Sequence, residues 1–147
     1  MGGVARVSRS KAVQVWEGLA RAHSTMTAAI EKDLVAAAGM PLGWHDVLVH
    51  LSRAPGGRLR FQDLAQEAGI TDSGASRRLE QMIKAGLIQR RSCPTDRRGV
   101  FAEITAKGRS EFQRAHAVFI RSLERNLASH LEAGEADLVS GALSRLT

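Results

Sequence analysis

Apolar residues recur at helical spacing along the first quarter of the chain. Val13, Trp16, Leu19, Ala20, His23, Ile30 and Leu34 fall on one stripe, which stops at Gly39 with Pro41 just beyond. This period predicts a helix over residues 11–39. Such a helix is longer than the usual globular one and needs partners along its whole length. A chain of this size can hardly supply them, so packing against a second subunit is expected. A second stripe, Trp44, Val47, Leu48 and Leu51, predicts a helix over 42–53 that ends at the turn-rich Ala54-Pro55-Gly56-Gly57.

Beyond that turn the elements are short. Residues 58–60 allow only a short strand. A helix over 61–68 buries Phe61, Leu64, Ala65 and Ala68, with Gly69 at its end and Ile70 filling the gap to the next helix. Thr71 or Asp72 can cap that next helix, because a side-chain oxygen there accepts a free first-turn amide. Its buried stripe is Ala75, Leu79, Met82 and Ile83, and Gly86 stops it. Two β-prone runs follow, 87–92 and 100–105, separated by the loop Cys93-Pro94-Thr95-Asp96-Arg97-Arg98-Gly99. Helix then returns over 106–130, with Phe112, His116, Phe119, Ile120, Leu123, Leu127 and Leu131 on one stripe, and over 135–146, with Leu138, Val139, Ala142, Leu143 and Leu146. These last stripes have no evident core of their own, and with the first helix they suit a symmetric two-subunit interface.

Helix, turn, helix, hairpin over residues 59–105 is the layout of a winged helix-turn-helix, so the expected fold is mainly α with a small β-hairpin wing. The second helix of that motif carries Ser73, Ser76, Arg77, Arg78 and Gln81 away from its apolar stripe. Small residues allow close approach to a groove, and Arg can take phosphates or the O6 and N7 edge of guanine. Arg97 and Arg98 beside Gly99 suit a narrow minor groove, where negative potential concentrates. Asp96 is expected to structure that loop by accepting its amides or pairing with Arg91 or Arg97.

Charge strengthens this reading. The 147 residues carry a formal net charge of +6. Residues 53–98 hold ten Arg or Lys against five Asp or Glu, so most of the surplus lies on the expected reader. Arg6 and Arg9 make the terminal segment basic as well. The single cysteine, Cys93, excludes an internal disulfide and agrees with a reducing compartment. It lies beside Arg90 and Arg91, which favour the thiolate, but a structural or incidental thiol is the better reading. No stretch is long and apolar enough to span a membrane, and a cytoplasmic protein is expected. The five histidines, His23, His45, His50, His116 and His130, show no His-x3-His spacing, and no Cys-x2-Cys occurs; neither metal nor cofactor is expected. Nucleophile elbow, phosphate loop and paired-carboxylate patterns are lacking too, so the chain is read as a non-enzyme with no catalytic residues.

The Leu64-Ala65 helix, the Asp72-Ser73 turn, Ala85-Gly86-Leu87-Ile88, Asp96-Arg97-Arg98-Gly99 and Thr105-Ala106-Lys107-Gly108 together resemble the MarR (multiple antibiotic resistance regulator) family, whose most specific piece is the wing pattern Asp-x-Arg-Gly. The resemblance implies one MarR-like domain over 1–147, with 42–105 as the DNA-binding lobe and 11–39 and 106–147 as dimerisation helices. It implies a homodimer on a pseudo-palindromic operator in double-stranded DNA, acting as a repressor. Ser73, Ser76, Arg77 and Arg78 would read the major groove and Arg98 the minor groove. It also implies release by a small effector, often an aromatic acid or phenol, bound between the dimerisation helices and the lobe. Trp16, His23, Trp44 and His45 are the bulky polar-edged candidates for that pocket, with Arg21 as a candidate carboxylate partner. The competing readings are a non-specific architectural or RNA-binding winged helix and a metal-responsive regulator.

Overall fold

The computed structural model describes residues 7–69, 72–93 and 95–147, and of residues 72, 73, 93 and 96–98 it describes the backbone. The expectations placed on Arg6, Ile70, Thr71 and Pro94 lie outside the described residues. The elements are helices α1 (Arg9–Ala38), α2 (Leu42–Arg53), α3 (Phe61–Glu67), α4 (Asp72–Lys84), α5 (Ala106–Asn126) and α6 (Ala133–Leu143) and a small antiparallel sheet of β1 (Arg58–Arg60), β2 (Ile88–Cys93) and β3 (Asp96–Ile104), on which α2, α3 and α4 pack. β3 lies between the other two, pairing Leu59 with Ala102 on one side and Arg90 with Ala102 on the other.

Helix α1 begins where Ser8 accepts the amide of Lys11 and ends at Gly39, whose φ of 62° is left-handed. There the amides of Gly39 and Met40 return to the carbonyls of Val35 and Leu34, closing orphan acceptors of the last turn. Its 30 residues make a rod of about 45 Å. Only the C-terminal part is buried in the chain, through Ile30 and Leu34, with Met26 partly covered. Val13 and Trp16 stand in solvent, Trp16 being 71% exposed.

The core joins Ile30 and Leu34 of α1, Val47, Leu48 and Leu51 of α2, Leu64 of α3, Leu79 and Met82 of α4, Ile88, Ala102 and Ile104 of the sheet, and Ala115 and Val118 of α5. Helix α5 therefore contributes to the chain's own core, which corrects the expectation that its stripe had none to fill. The buried line runs through Ala115, Val118 and Ser122, flanked by Phe112, Phe119 and Leu123, while Ile120 and Leu127 face outward. The sequence pattern centres the α5 stripe on the large residues, yet the small Ala115 and Ser122 are the fully buried ones. Ser122 and Arg125 both donate to the Asp33 carboxylate of α1, at 2.5 Å each. The hydrogen bond from Ser122, then that from Arg125, hold the Asp33 carboxyl below the usual carboxylate range.

Two other boundaries differ from expectation. Residues 106–130 do not form one helix, since α5 stops at Asn126 and a single 3-10 turn covers Ala128–His130. The wing strand β3 begins at Asp96, so Asp96-Arg97-Arg98-Gly99 belongs to a strand rather than a loop. Its strand character is invisible in the sequence because Asp and Gly are poor strand formers; Gly99 is buried, whereas Arg91, Ser92 and Val100 are exposed.

The joint between lobe and α5 explains two of the quoted motifs at once. Gly86 ends α4 with φ 74°, and the Leu87 amide turns back to the carbonyl of Met82. Thr105 caps α5 by accepting the Gly108 amide at 2.9 Å, and its hydroxyl donates to the Gly86 carbonyl at 2.7 Å. Lys107 donates to the carbonyl of Ala85. A Cβ on Gly108 would lie 2.0 Å from the Leu87 carbonyl oxygen, so the first turn of α5 rests directly on the backbone that leaves α4.

Helix α6 buries none of its residues in the chain. Leu138 and Leu146 are 76% and 71% exposed, and Val139 and Leu143 are also open. With the outer half of α1 this leaves a large apolar surface uncovered, of a kind monomeric proteins rarely show.

Candidate nucleic-acid interface

Helix α4 is held by an inward line of Ala75, Leu79 and Met82, all buried. At 100° per residue, Arg77 lies about 170° from that line and Arg78 only about 70°. The structure agrees: Arg77, Gln81 and Ser76 are exposed and Arg78 is half-buried. The Arg78 guanidinium instead rests against the second residue of α2, where a Cβ on Gly43 would lie 2.8 Å from its central carbon. The five positions expected on one reading face therefore divide. Arg77, Gln81 and Ser76 face outward, Arg78 turns towards α2, and the side chain of Ser73 lies outside the described set. Helical geometry alone carried the signal for Arg78, since it sits three residues after Ala75 and four before Met82.

The sheet absorbs part of the basic surplus. Arg90 is ion-paired with Glu80 of α4 and lies over the Phe61 ring, 5.4 Å from its centroid. Arg91 meets Glu103 at 3.4 Å, and Gln89 donates to the same carboxylate at 2.9 Å. Arg60 lies over Phe101. These cations brace the root of the wing. The side chains of Asp96, Arg97 and Arg98, like that of Cys93, lie outside the described set.

The candidate effector residues are not gathered within one protomer. His45 is fully buried. It stacks on Phe119 with ring centroids 4.4 Å apart, and its Nε2 lies 3.1 Å from Nδ1 of His116. A position on the inner face of α2 opposite the aromatic residues of α5 makes it part of the core. Its Nδ1 lies 3.6 Å from the Asp46 carboxylate, beyond a hydrogen bond. Trp44 is half-buried against the same core, whereas Trp16 and His23 are exposed on α1. Trp16 precedes Met26, the first α1 residue packed on the core, by roughly 15 Å of helix. Arg21 pairs at 4.0 Å with Glu17, one turn earlier on the same exposed face.

Burial, then the neighbouring His45 and Arg53, push the His116 imidazole below its ordinary value. The folded state resists a proton that the unfolded chain accepts. Stability carried by neutral His116 is therefore complete above about pH 6.5 and is lost as pH falls through the lowered folded value. Thermal melting should accordingly drop more steeply from pH 7 to pH 5 in the native protein than in His116→Phe, and parallel curves would show that His116 carries no such linkage.

Among the described residues no group of three or more His, Cys, Asp or Glu is placed to hold a metal ion, and no single helix is long and apolar enough to cross a membrane.

Residues 38–99 match the sequence profile of the MarR family. The HTH-type transcriptional regulator BilQ of Clostridium symbiosum is 28% identical over 100 residues, 68% of each chain. Two solved structures from Streptomyces coelicolor follow nearly the whole chain. Sco3205, a MarR family transcriptional regulator in complex with DNA, superposes with a TM-score of 0.85 at 25% identity, covering 97% of this chain and 89% of its own. AbsC, another MarR family transcriptional regulator, has the same TM-score and identity and covers 97% and 95%.

Proposed function

We propose that this chain is a MarR-type transcriptional regulator, a reading supported by the MarR profile match over residues 38–99 and by the likeness of nearly its whole length to solved MarR family structures, and that it represses its target as a homodimer on a pseudo-palindromic operator. The observation that carries the reading is the outward face of α4, where Arg77, Gln81 and Ser76 stand opposite a fully buried stripe. A helix held this way can lay its polar face in a major groove, with Arg77 placed for guanine edges or phosphates. Ser73 joins this set from its position on the same helix. Arg97 and Arg98, on the strand that leaves the wing tip, take the flanking minor groove, and Asp96 orders that tip.

Dimerisation is supported by the uncovered apolar surface of α6 and of the outer half of α1. A two-fold partner would cover both at once. The domain is then one unit in which 42–105 reads DNA and 11–39 and 106–147 set the distance between two readers. Small-molecule release falls to Trp16, His23, Trp44 and His45, of which His45 lies on the buried inner face of α2. An aromatic acid or phenol is the ligand class, and Trp16 would meet it only where a partner subunit approaches α1. The protein works in the cytoplasm and needs no cofactor.

Selection from random duplexes tests this reading. The selected sequence should contain two inverted half-sites about one helical turn apart, bound far more tightly than unselected duplex. Equal affinity for both pools would instead favour a non-specific architectural protein. On the selected duplex, Arg98→Ala should weaken binding to every sequence and lower the salt slope by about one contact. An unchanged slope would remove Arg98 from the backbone contacts.

A further inference from the structure

We infer that Arg78, although it belongs to the recognition helix, is a positioning residue that sets the seating of α4 through the first turn of α2. The inference rests on the DNA-reading function proposed above. The guanidinium lies over Gly43 so closely that a Cβ there would meet its central carbon at 2.8 Å and both terminal nitrogens at 3.1 Å. Only the absence of a side chain at position 43 leaves room for it. Gly43 needs no unusual backbone, since it lies inside α2 and is not among the glycines of positive φ. Its role is space, not conformation.

The place it opens is a junction. One residue earlier, the Leu42 amide donates to the Glu31 carboxylate of α1 at 2.5 Å; this caps a helix whose N-cap, Pro41, offers no side-chain acceptor. Two residues later, His45 stacks on the α5 rings. The first turn of α2 therefore touches α1 through Leu42, α4 through Gly43 and α5 through His45. Arg78 is the α4 arm of that junction, on the inner flank of a helix whose outer face carries Arg77 and Gln81. A long planar cation wedged between helices fixes their separation in a way a short side chain cannot. Any change in how α1 and α5 hold α2 would reach the reading face through it.

A positioning residue and a phosphate contact leave different marks. Losing a phosphate contact weakens all duplexes and lowers the salt slope by about one. Losing a positioning residue misaligns the reading face, so binding to the selected duplex suffers while the slope and the non-specific affinity stay.

The experiment compares the native protein, Arg78→Ala, Gly43→Ala and the double variant on the selected duplex and on a scrambled one, across a salt series. Circular dichroism and melting accompany each protein. Gly43→Ala is the informative variant. It touches α2, not the DNA face, alanine favours the helix, and the nearest atoms the new methyl would meet are the movable end of Arg78. The expected result is a roughly tenfold loss of preference for the selected duplex in each single variant, comparable to one misplaced base contact. The double variant should lose no more than either single one, and the salt slope should be unchanged throughout. A slope reduced by one in Arg78→Ala with Gly43→Ala behaving as native overturns the inference and makes Arg78 a direct contact. Native discrimination in folded Gly43→Ala overturns it as well. A native protein that fails to distinguish the two duplexes overturns the DNA-reading function itself, an outcome distinct from the other two.

Discussion

Gly108→Ala should destabilise the protein by about 3 kcal/mol or more, the upper end of what overpacking costs, because the added methyl would meet a carbonyl rather than a movable side chain. The new carbon would lie 2.0 Å from the Leu87 oxygen and 3.0 Å from its carbonyl carbon, with Ile104 on its other side at 3.0 Å. That carbonyl also accepts the Thr105 amide at 3.0 Å, so it cannot turn away without losing a ladder bond. Either α5 lifts from the lobe or the strand after Gly86 shifts. For a chain of this size the melting point should fall by roughly 6–12 °C. Thr105→Val would test the same joint more gently, since it removes the cap on Gly108 and the bond to Gly86 while keeping the shape. Loss of a cap costs about 1 kcal/mol. A Gly108→Ala protein melting within 2 °C or so of the native one would show that α5 does not rest on this backbone.

Arg77→Ala carries the second large effect. Arg77 is exposed and lies opposite the buried line of α4, so its removal should leave folding untouched. Binding to the selected operator should weaken by about 1–3 kcal/mol, or roughly 5- to 150-fold, with the preference relaxed most at one symmetric pair of base positions. Competition binding against single-base operator variants reads this directly. A uniform loss over all sequences would move Arg77 from base reading to the phosphates. No loss at all would mean that α4 is not the helix that enters the groove.

These two residues illustrate how unevenly the chain announces its structure. Arg77 was legible because α4 has a strong apolar stripe, and once Ala75, Leu79 and Met82 are assigned inward, the opposite face follows from the helical period. The same period places Arg78 on the inner flank, but taking adjacent arginines as a pair hides this. Gly43 gave no sign, because a glycine in a helix looks like a mere defect until the neighbour that needs its space is known. Gly108 was visible as part of a motif, yet its reason lies in the Leu87 carbonyl, 21 residues earlier.

His45 marks the same limit. On the sequence it is a polar-edged ring near a tryptophan, suited to a ligand pocket. In the fold it stacks within an aromatic cluster of α5 residues, more than sixty positions away in the chain. Asp33 likewise shows nothing of its role until Ser122 and Arg125 stand beside it.

Periodicity, caps and left-handed glycines act within one or two turns of chain, and they were sufficient for the order of helices and strands, for the ends at Gly39 and Gly86, and for the winged helix-turn-helix class. The inward stripe of α4 belongs with them, because a helix has one face to bury. Which face of α5 meets α1, which arginine reads and which braces, and whether a histidine lines a pocket or fills a core depend on residues far apart in sequence. Those choices are made by packing, where a carbonyl, a ring or a missing Cβ from another element decides what fits.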